Sequence, residues 1–429
     1  MLDSKILDFA RKWAKKASPA YAKRAVSVEP IVIKGEPWAL VTAAGLEGTL
    51  YLGVPHAQIN PAVFDADKLP KFPKGGSLVV EEGKKAFIVK GNARIPLPVL
   101  GEEDAKFYNL PPMPQETEGD FEEVVVAAED VAEVAAFRSP DDARPALQTL
   151  GFHPNGMFGA SDGYQLGVAK ILSGEVSPVA EWSNGEVQIM APELPQAFFG
   201  LVVKKAEGKM RFRFVKKPEG AFVPQVRGWL RLDKKVAPVF FMVQGTGYHK
   251  YPDFAQILEG KREVFGTIDV PKDALGLLKL ADRGYLLTDD EGAIHLVAEA
   301  EDEDGRPQIV AVLPVGETTT EAAFMAAYNA AFLRKGFAFL PQGEVSADTN
   351  YVSPASPLQI SKGEKVYLVM PLRVVSFAGS DKDLVENTCR VLNAANDWGV
   401  KVDKLLSMLP VLDIPAEDET AFEAVAVPA

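Results

Sequence analysis

The sequence predicts an α+β fold of three repeated domains, followed by a helical extension at the C-terminus. Its 429 residues suit three domains on a prior of about 150 residues each. The same succession of helices and strands restarts twice, each time after a segment that carries proline and an aromatic residue. A repeat of roughly 120 residues is too long for a solenoid unit and favours repeated α+β domains. The predicted domains are 1–118, 119–252 and 253–374, with the extension at 375–429.

The first domain opens with an amphipathic helix. Ile6, Phe9 and Trp13 recur at spacings of three and four, and lysine and arginine occupy the opposite face. Apolar segments separated by Gly, Pro and charged turns then predict strands: EPIVIKG, WALVTAAG, GTLYLGV, SLVVEEGKKAFIVKG and ARIPLPVL. The Pro-rich and acidic AKFYNLPPMPQETEGD predicts a linker.

The second and third domains repeat this order. FEEVVVAAEDVAEVAAFR predicts a strand and a helix, ARPALQTLGFHPNGMFGASDGYQLGVAKI predicts strands joined by glycine turns, and APELPQAFFGLVVKKA predicts a helix before the strand KMRFRFVKK. In the third domain the corresponding segments are FGTIDVPKDALGLLKLA, the helix EAAFMAAYNAAFLRKG, and the strands SPLQI and VYLVMPLRV. The extension begins with the predicted helix DLVENTCRVLNAAND, continues in VDKLLSMLPVL and ends in an acidic tail.

Composition limits the classes of function. Hydrophobic residues make up 47% and charged residues 24%, as in folded soluble proteins. The net charge of −13 excludes a uniformly basic nucleic-acid coat but allows one basic face. The single cysteine, Cys389, excludes an intramolecular disulfide framework and a four-cysteine zinc site, and it fits a reducing cytoplasm.

We expect a soluble cytoplasmic protein without a membrane segment. No stretch reaches the roughly 18 uncharged apolar residues that span a bilayer. The N-terminal MLDSKILDFARKWAKKA carries charges where a signal peptide needs an apolar segment, so we expect it to stay in the mature protein.

Motifs of catalysis and cofactor binding are missing from the sequence. It has no phosphate-binding loop, HExxH or GxGxxG motif, and its four histidines are far apart. Its one GxSxG match, GASDG at 159–163, lies between predicted strands and is not the strand-to-helix elbow of a serine nucleophile. The acidic EDEDG segment lacks the further ligands of a calcium loop and predicts a solvated turn. We therefore predict no catalytic residue, no metal and no cofactor, although a site assembled only in three dimensions stays an alternative.

Two strings resemble the bacterial replicative sliding clamp, the β subunit of the replicative DNA polymerase. ARPALQTLGFHPNGMFGASDGYQLGVAKI is similar to the Arg-Pro-x-Leu strand of that family and its later Asp-Gly turn, and VYLVMPLRV is similar to its closing Met-Pro-x-Arg strand. KYPDFAQIL, YNAAFL and GNARIPLPVL add weaker matches in the same order. The resemblance covers about residues 1–374 and is weakest in the first domain.

The resemblance implies a ring of two head-to-tail protomers, with helices lining the hole and antiparallel sheets outside. Duplex DNA would pass through the hole and be held without base reading, because a mildly basic lumen attracts the phosphates of any sequence. The candidate DNA-facing residues are Arg11, Lys12, Lys15, Lys16, Lys23, Arg24, Lys204, Lys205, Lys272, Lys279, Arg334 and Lys335. The alternative for each is an ordinary solvated helix face.

The resemblance also implies an apolar cleft between the second and third domains that takes short linear peptides from DNA polymerases and clamp-loader subunits. The matching positions are Leu147, Ser161, Gly163, Tyr164, Gln165, Leu166, Pro252, Gln256, Ile257, Asn329, Phe332, Pro357, Leu368, Val369, Met370, Pro371, Leu372 and Arg373. Tyr164 and Gln165 stand where the family usually has His and Arg, so the polar contacts to a peptide should differ. The alternative for the MPLR segment is an edge strand packed into its own core.

The dimer interface of the family matches Ile95 and Leu97 on one side, while VPKDALGLLKLAD matches the other side only loosely. The extension lies beyond the end of the family pattern. Its DKLLSMLPVLDI segment could fold over the peptide cleft, or the extension could pack elsewhere as an extra helical layer.

The leading hypothesis is a homodimeric, non-enzymatic processivity factor that encircles duplex DNA and tethers replicative and repair polymerases. The alternatives are a clamp-like paralogue or phage-type homologue that binds polymerases without being loaded on DNA, and an enzyme with an unrecognised site. Retention on circular DNA before and after linearisation separates them, because only a closed ring is lost through free ends.

Overall fold

The computed structural model describes residues 2–19, 22, 24–82, 85–108, 110–114, 121–175, 189–216, 222–234, 236–260, 262–288, 292–301, 307–319, 325–347 and 357–372. The predicted extension at 375–429 lies outside them. The chain divides into two units. The larger unit comprises Met1–Val264, Lys335–Asp348 and Pro357–Met370, and the smaller unit comprises Phe265–Arg334, Thr349–Ser356 and Pro371–Ala429.

The first repeat contains ten elements among the described residues. They are β1 (Leu2–Asp3), α1 (Ser4–Lys16), β2 (Ala25–Ile33), β3 (Glu36–Gly45), β4 (Gly48–Pro55), β5 (Ala62–Asp65), β6 (Ser77–Glu81), β7 (Lys85–Lys90), β8 (Ala93–Leu97) and the short helix α2 (Glu102–Lys106).

The second repeat follows the same order. Its elements are β9 (Phe121–Ala127), α3 (Ala128–Val134), β10 (Gly151–His153), β11 (Met157–Ser161), β12 (Gln165–Lys170), β13 (Ile189–Glu193), β14 (Ala206–Lys216), β15 (Phe222–Leu230) and β16 (Val239–Gln244). Short 3-10 turns span Ala135–Phe137, Pro145–Gln148 and Val203–Lys205, and a π-helical turn spans Phe198–Val202. The strand β17 (Gly247–Tyr251) and the helix α4 (Phe254–Leu258) lead into the third repeat.

The third repeat again places one helix after its first strand. Its elements are β18 (Glu263–Asp269), α5 (Lys272–Leu277), β19 (Arg283–Thr288), β20 (Ala293–Glu301), β21 (Pro307–Thr318), β22 (Met325–Asn329), α6 (Ala330–Phe339), β23 (Gln342–Ala347), β24 (Leu358–Lys362) and β25 (Lys365–Val369).

Antiparallel sheets run from one repeat into the next. In the larger unit, β5-β2-β3-β4 continue through β16-β15-β14-β9 as one sheet, and β17-β13-β10-β11-β12 continue through β25-β24-β23. The joints are the antiparallel pairs β4–β16 and β12–β25. The four strands β1-β6-β7-β8 form a separate sheet, and in the smaller unit the order is β18-β21-β20-β19-β22. In both joints, a strand of one repeat therefore pairs with the last strand of the next repeat.

Helix α1 forms for the reasons that its sequence predicts. The carboxylate of Asp3 caps its N-terminus by accepting a hydrogen bond of 2.8 Å from the Lys5 amide. Ile6, Ala10 and Trp13 are fully or almost fully buried, and the helix packs on β2, β3 and β4. Burial of this apolar stripe turns the lysines of α1 toward solvent.

Two predicted helices differ from those in the structure. The helix in EAAFMAAYNAAFLRKG begins only at Ala330, because Met325–Asn329 pair with β19 as strand β22 and bury Tyr328. In APELPQAFFGLVVKKA, residues 191–193 belong to strand β13, and the helical residues are limited to 196–205. In the first repeat, the described residues between β5 and β6 form turns and no helix.

No helix in the described ranges is both long enough and apolar enough to cross a lipid bilayer.

Gly336 tests the packing of α6 on β25. A Cβ at this position would overlap the ring of Tyr367, which is fully buried. We expect Gly336→Ala to destabilise the protein by about 1–3 kcal/mol through overpacking. The matched control is Gly276→Ala in α5, where an added Cβ meets no atom within 4 Å, so the change should be neutral or slightly stabilising. Thermal unfolding of both variants measures the difference, and equal melting temperatures would contradict the packing.

Candidate functional site: a basic face and an apolar surface

The solvent side of α1 carries a row of cations. Lys12 is 54% exposed and Lys15 35% exposed, and Lys16 is exposed as well. Asp8 pairs with Arg11 at 2.6 Å and with Lys12 at 2.7 Å. Burial alone would raise the pKa of Asp8, but hydrogen bonds from Lys12 and Arg11 outweigh it and lower the pKa. The carboxylate is therefore ionised near neutral pH and partly neutralises this row.

Two further lysines lie on the same side of the larger unit. Phe198, Phe199, Val202 and Val203 are buried, which forces Lys204 and Lys205 outward at the end of the second-repeat turn. Lys16 is close to this turn, since a Cβ on Gly200 would lie 3.7 Å from its Nζ. We call Lys12, Lys15, Lys16, Lys204 and Lys205 the basic face.

The other predicted DNA-facing residues differ in their exposure. Arg11 is paired with Asp8, and Arg24 is mostly buried, donating to the Ser18 carbonyl at 2.8 Å and pairing with Asp67 at 3.3 Å. These two arginines therefore stabilise the first repeat and offer little free charge. In the third repeat, Lys272 and Lys279 are exposed while Arg334 and Lys335 are half-buried. Lys23 lies outside the described residues.

The turn between β11 and β12 is held by its own side chains. Asp162 Oδ1 accepts hydrogen bonds from the amides of Tyr164 and Gln165, each at 3.0 Å. Gly163 has φ +94°, which favours glycine there, and its amide donates to Ser161 Oγ at 3.0 Å. These bonds fix the backbone and leave the Tyr164 ring 57% exposed.

A buried tyrosine, Tyr251, holds this turn through a hydrogen bond. The Ser161 amide donates to the Tyr251 hydroxyl oxygen at 2.7 Å. Burial raises the pKa of Tyr251 well above its ordinary value, so the hydroxyl stays neutral. The turn is therefore tied to strand β17 as well as to its own side chains.

An apolar cluster lies behind the turn. Leu166, Tyr251, Phe254 and Leu368 are among its buried residues, and the half-buried Leu147 packs against them. Ile257 on α4 is 44% exposed and Met370 is 42% exposed. We call Leu147, Tyr164, Ile257 and Met370 the apolar surface. Flexible thioether and aromatic side chains of this kind suit several peptide sequences.

Strand pairing brings two segments of the predicted cleft together within the larger unit. Gln165 pairs with Val369 and Leu166 with Leu368, and the Met370 amide donates to the Tyr164 carbonyl at 2.8 Å. Gln165, Leu166, Leu368 and Val369 are buried, so they support the surface from beneath. The remaining predicted positions in this unit are exposed or half-exposed: Ser161, Gly163, Pro252, Gln256 and Pro357.

Five predicted cleft residues belong to the smaller unit, and four of them are among the described residues. Asn329 caps α6 by accepting hydrogen bonds from the amides of Ala331 and Phe332 at 2.9 and 3.3 Å. The Leu372 amide, one residue after Pro371, donates to the Ala327 carbonyl at 2.8 Å. Phe332, Pro371 and Leu372 are half-buried. Arg373 lies outside the described residues.

Sequence reasoning missed Arg138. Its guanidinium stacks 3.5 Å from the centroid of the Phe199 ring and donates to the Gln148 carbonyl at 2.6 Å. Desolvation by burial lowers the pKa of Arg138 to about 10. The residue ties the 145–148 turn, which carries Leu147, to the 198–202 turn that precedes Lys204. No local motif identifies it, because the Phe199 ring that it stacks on comes from a distant part of the sequence.

The predicted interface residues differ in exposure. Strand β8 is the last strand of its sheet, so one of its edges has no ladder partner among the described residues. Ile95 is 36% exposed, while Leu97 is 6% exposed and packs inside the repeat. Only Ile95 of this pair offers its side chain to another molecule.

Comparison with solved structures identifies the architecture. The β subunit of DNA polymerase III from Thermotoga maritima matches with a TM-score of 0.58 at 16% identity, over 87% of this chain and 99% of that chain. The chain has the fold of a bacterial DNA sliding clamp. The Helicobacter pylori β clamp bound to a DNA ligase peptide matches with a TM-score of 0.58 at 15% identity, over 86% of this chain and 99% of that chain.

The sliding clamp from Bacillus subtilis matches with a TM-score of 0.56 at 14% identity, over 87% of this chain and 98% of that chain. No protein-family model and no curated protein matches the sequence. The predicted α+β clamp fold with repeated domains is thus confirmed.

Proposed function

We propose that this protein is a non-catalytic processivity factor that encircles duplex DNA as a head-to-tail homodimer and tethers polymerases in the cytoplasm. The observation that carries the proposal is the joining of successive repeats through strand edges, β4 to β16 and β12 to β25. In each joint, a strand of one repeat pairs with the last strand of the next repeat. Among the described residues, the last strand of the first repeat and the corresponding strand of the third repeat therefore have no such partner. A second copy can use both.

The two unused edges are identified by strand order. β4 and β12 are the third strands after the first helix of their repeats, and β21 holds that place in the third repeat. Strand β18 pairs with β21 only at Gly316–Thr318. The described residues of β21 from 307 to 315 therefore pair only with β20. β16 and β25 are the last strands of their repeats, and β8 holds that place in the first. We propose that β21 of each protomer pairs with β8 of the other.

The basic face explains how DNA would be held. Duplex DNA carries one charge per about 1.7 Å of axis, so exposed lysines attract it without reading any base. The net charge of −13 places an excess of acid elsewhere on the protein. Repulsion from those surfaces and attraction to the basic face would leave the hole as the favoured place for the duplex.

The apolar surface supports the tethering role. A solved clamp of this fold, that of Helicobacter pylori, holds a DNA ligase peptide. In the present chain, exposed Tyr164 and Met370 flank a buried apolar cluster, an arrangement that suits short peptides with apolar anchors. We propose that DNA polymerases and clamp-loader subunits bind there through linear motifs.

The decisive experiment uses nicked circular DNA. The protein is loaded by its cognate clamp loader, free protein is removed by gel filtration, and half of the sample is then cut once with a restriction enzyme. We expect retention on the circle and loss after cutting, because a closed ring slides off free ends. Equal retention before and after cutting would indicate an adhesive binder, and absence from both samples would favour a clamp-like protein that is not loaded on DNA.

A further inference from the structure

The segment that follows the first repeat packs across the joint to the second repeat. Tyr51 of β4 and Met242 of β16 are cross-strand partners in this joint, and both belong to one buried cluster. The half-buried Met113, in the Pro-rich residues 110–114, packs against that cluster. The Tyr51 hydroxyl also donates to the Pro112 carbonyl at 3.1 Å. The segment therefore holds strands of two different repeats together.

The segment that follows the second repeat does the same at the next joint. Leu166 of β12 and Leu368 of β25 are cross-strand partners there and share a buried cluster. Phe254 of α4 belongs to this cluster, and Leu258 of α4 packs against it. We call residues 110–114 and α4 the straps, since each follows one repeat and covers the joint from that repeat to the next.

The chain leaves the third repeat as it leaves the first. Leu100 is the third residue after β8, and its amide donates to the Val63 carbonyl of β5 at 2.8 Å. Leu372 is the third residue after β25, and its amide donates to the Ala327 carbonyl of β22 at 2.8 Å. β5 and β22 hold the same place, because they pair with β2 and β19, the first strands after α1 and α5. The path that leads to the first strap thus begins again at Leu372.

The joint that a third strap would cover is the one proposed between β21 and β8 of a second copy. In the two joints within the chain, β4 is buried from Gly48 to Gly53, and β12 is buried except for Lys170. In β21, by contrast, Val310 is 43% exposed and residues 311–313 are half-buried. Every residue of β8 except Leu97 is exposed. The described edges of the third joint therefore lack the cover that the other two joints have.

We propose that the start of the C-terminal extension, residues 375–385, is a third strap that packs across β21 of its own protomer and β8 of its partner. Val385 lies as far beyond the end of β25 as Met113 lies beyond the end of β8, and Leu384 precedes it as a second apolar residue. Burial of these side chains at the joint drives the packing. The inference rests on the proposed dimer and goes beyond it, because the clamp resemblance ends at about residue 374.

A pair of charges in the full chain tests the strap. Leu384→Asp/Val385→Asp should raise the dissociation constant of the dimer on the order of tenfold or more, because two apolar side chains are replaced by carboxylates that stay in water. The matched control is Leu405→Asp/Leu406→Asp, which adds the same charges later in the extension and should leave that constant unchanged. Sedimentation velocity over a dilution series measures both variants beside the unmodified protein.

Crosslinking shows where the extension lies without any substitution. Cys389 is the only cysteine of the chain and follows Val385 closely, so a benzophenone maleimide attaches there alone. Irradiation should give covalent dimers, and mass spectrometry of their digest should join Cys389 to residues 85–97 of the other protomer.

The outcomes separate the strap from the ring. An unmodified chain that sediments only as a monomer would overturn both. A dimer that is equally tight with Leu384→Asp/Val385→Asp, or equally weakened by the control, would overturn the strap and leave the ring intact. Crosslinks to Tyr164 or Ile257 would also overturn the strap, because they would place the extension on the apolar surface.

Discussion

Replacing Tyr164 and Met370 together with alanine should lower the affinity for a partner peptide by roughly 100-fold, or about 3 kcal/mol. These two side chains are 57% and 42% exposed, and their backbones are joined by the hydrogen bond between the Met370 amide and the Tyr164 carbonyl. They therefore form one rigid apolar edge above the buried Leu166 and Leu368. Truncating both removes most of the exposed apolar contact without opening a cavity in the core.

The measurement is a titration of a fluorescent peptide from a DNA ligase or polymerase of the same organism. The matched control is Leu172→Ala, which removes an apolar side chain that is 51% exposed near the other end of β12. The control should bind the peptide like the unmodified protein. If the double variant also binds normally while its melting temperature is unchanged, the peptide site lies elsewhere on the molecule.

The sequence predicted the elements whose periodicity is strong. Alternating apolar segments became strands, and the spacing of Ile6, Phe9 and Trp13 marked the buried stripe of α1. The extent of α6 was wrong because the alanine-rich MAAYN segment has helical propensity, yet its ladder to β19 and the burial of Tyr328 favour a strand. Pairing with a strand distant in sequence determined the secondary structure of this segment, and a single sequence does not show which strands will pair.

The sequence also did not predict which strands pair with each other. A period of two fixes which face of a strand is buried but not which strand lies beside it. The pairing of β12 with β25 joins residues about two hundred positions apart, and only the resemblance to the clamp family indicated that they meet. The sequence likewise did not indicate which charged side chains form ion pairs. Arg24 and Asp67 form one although they are 43 positions apart.

Ile95→Lys should convert the proposed dimer into a monomer. Strand β8 is the unused edge of the first repeat, and Ile95 is its exposed apolar side chain. Lysine on a strand edge opposes pairing with another edge, because its charge would have to leave water. We expect the dissociation constant of the dimer to rise at least about 100-fold, near 3 kcal/mol. Sedimentation velocity should show a species of 46.4 kDa in place of one with twice that mass.

The control is Leu46→Lys, which adds the same charge at a position that is 64% exposed in the turn between β3 and β4. It should remain dimeric. The Ile95 variant separates the two proposed roles. A monomer cannot close around DNA, but its larger unit still contains Leu147, Tyr164, Ile257 and Met370. Retention on nicked circles should therefore be lost while peptide affinity is kept. A variant that stays dimeric would refute the β8 edge as the contact, and one that loses peptide affinity together with the dimer would show that the peptide surface needs both protomers.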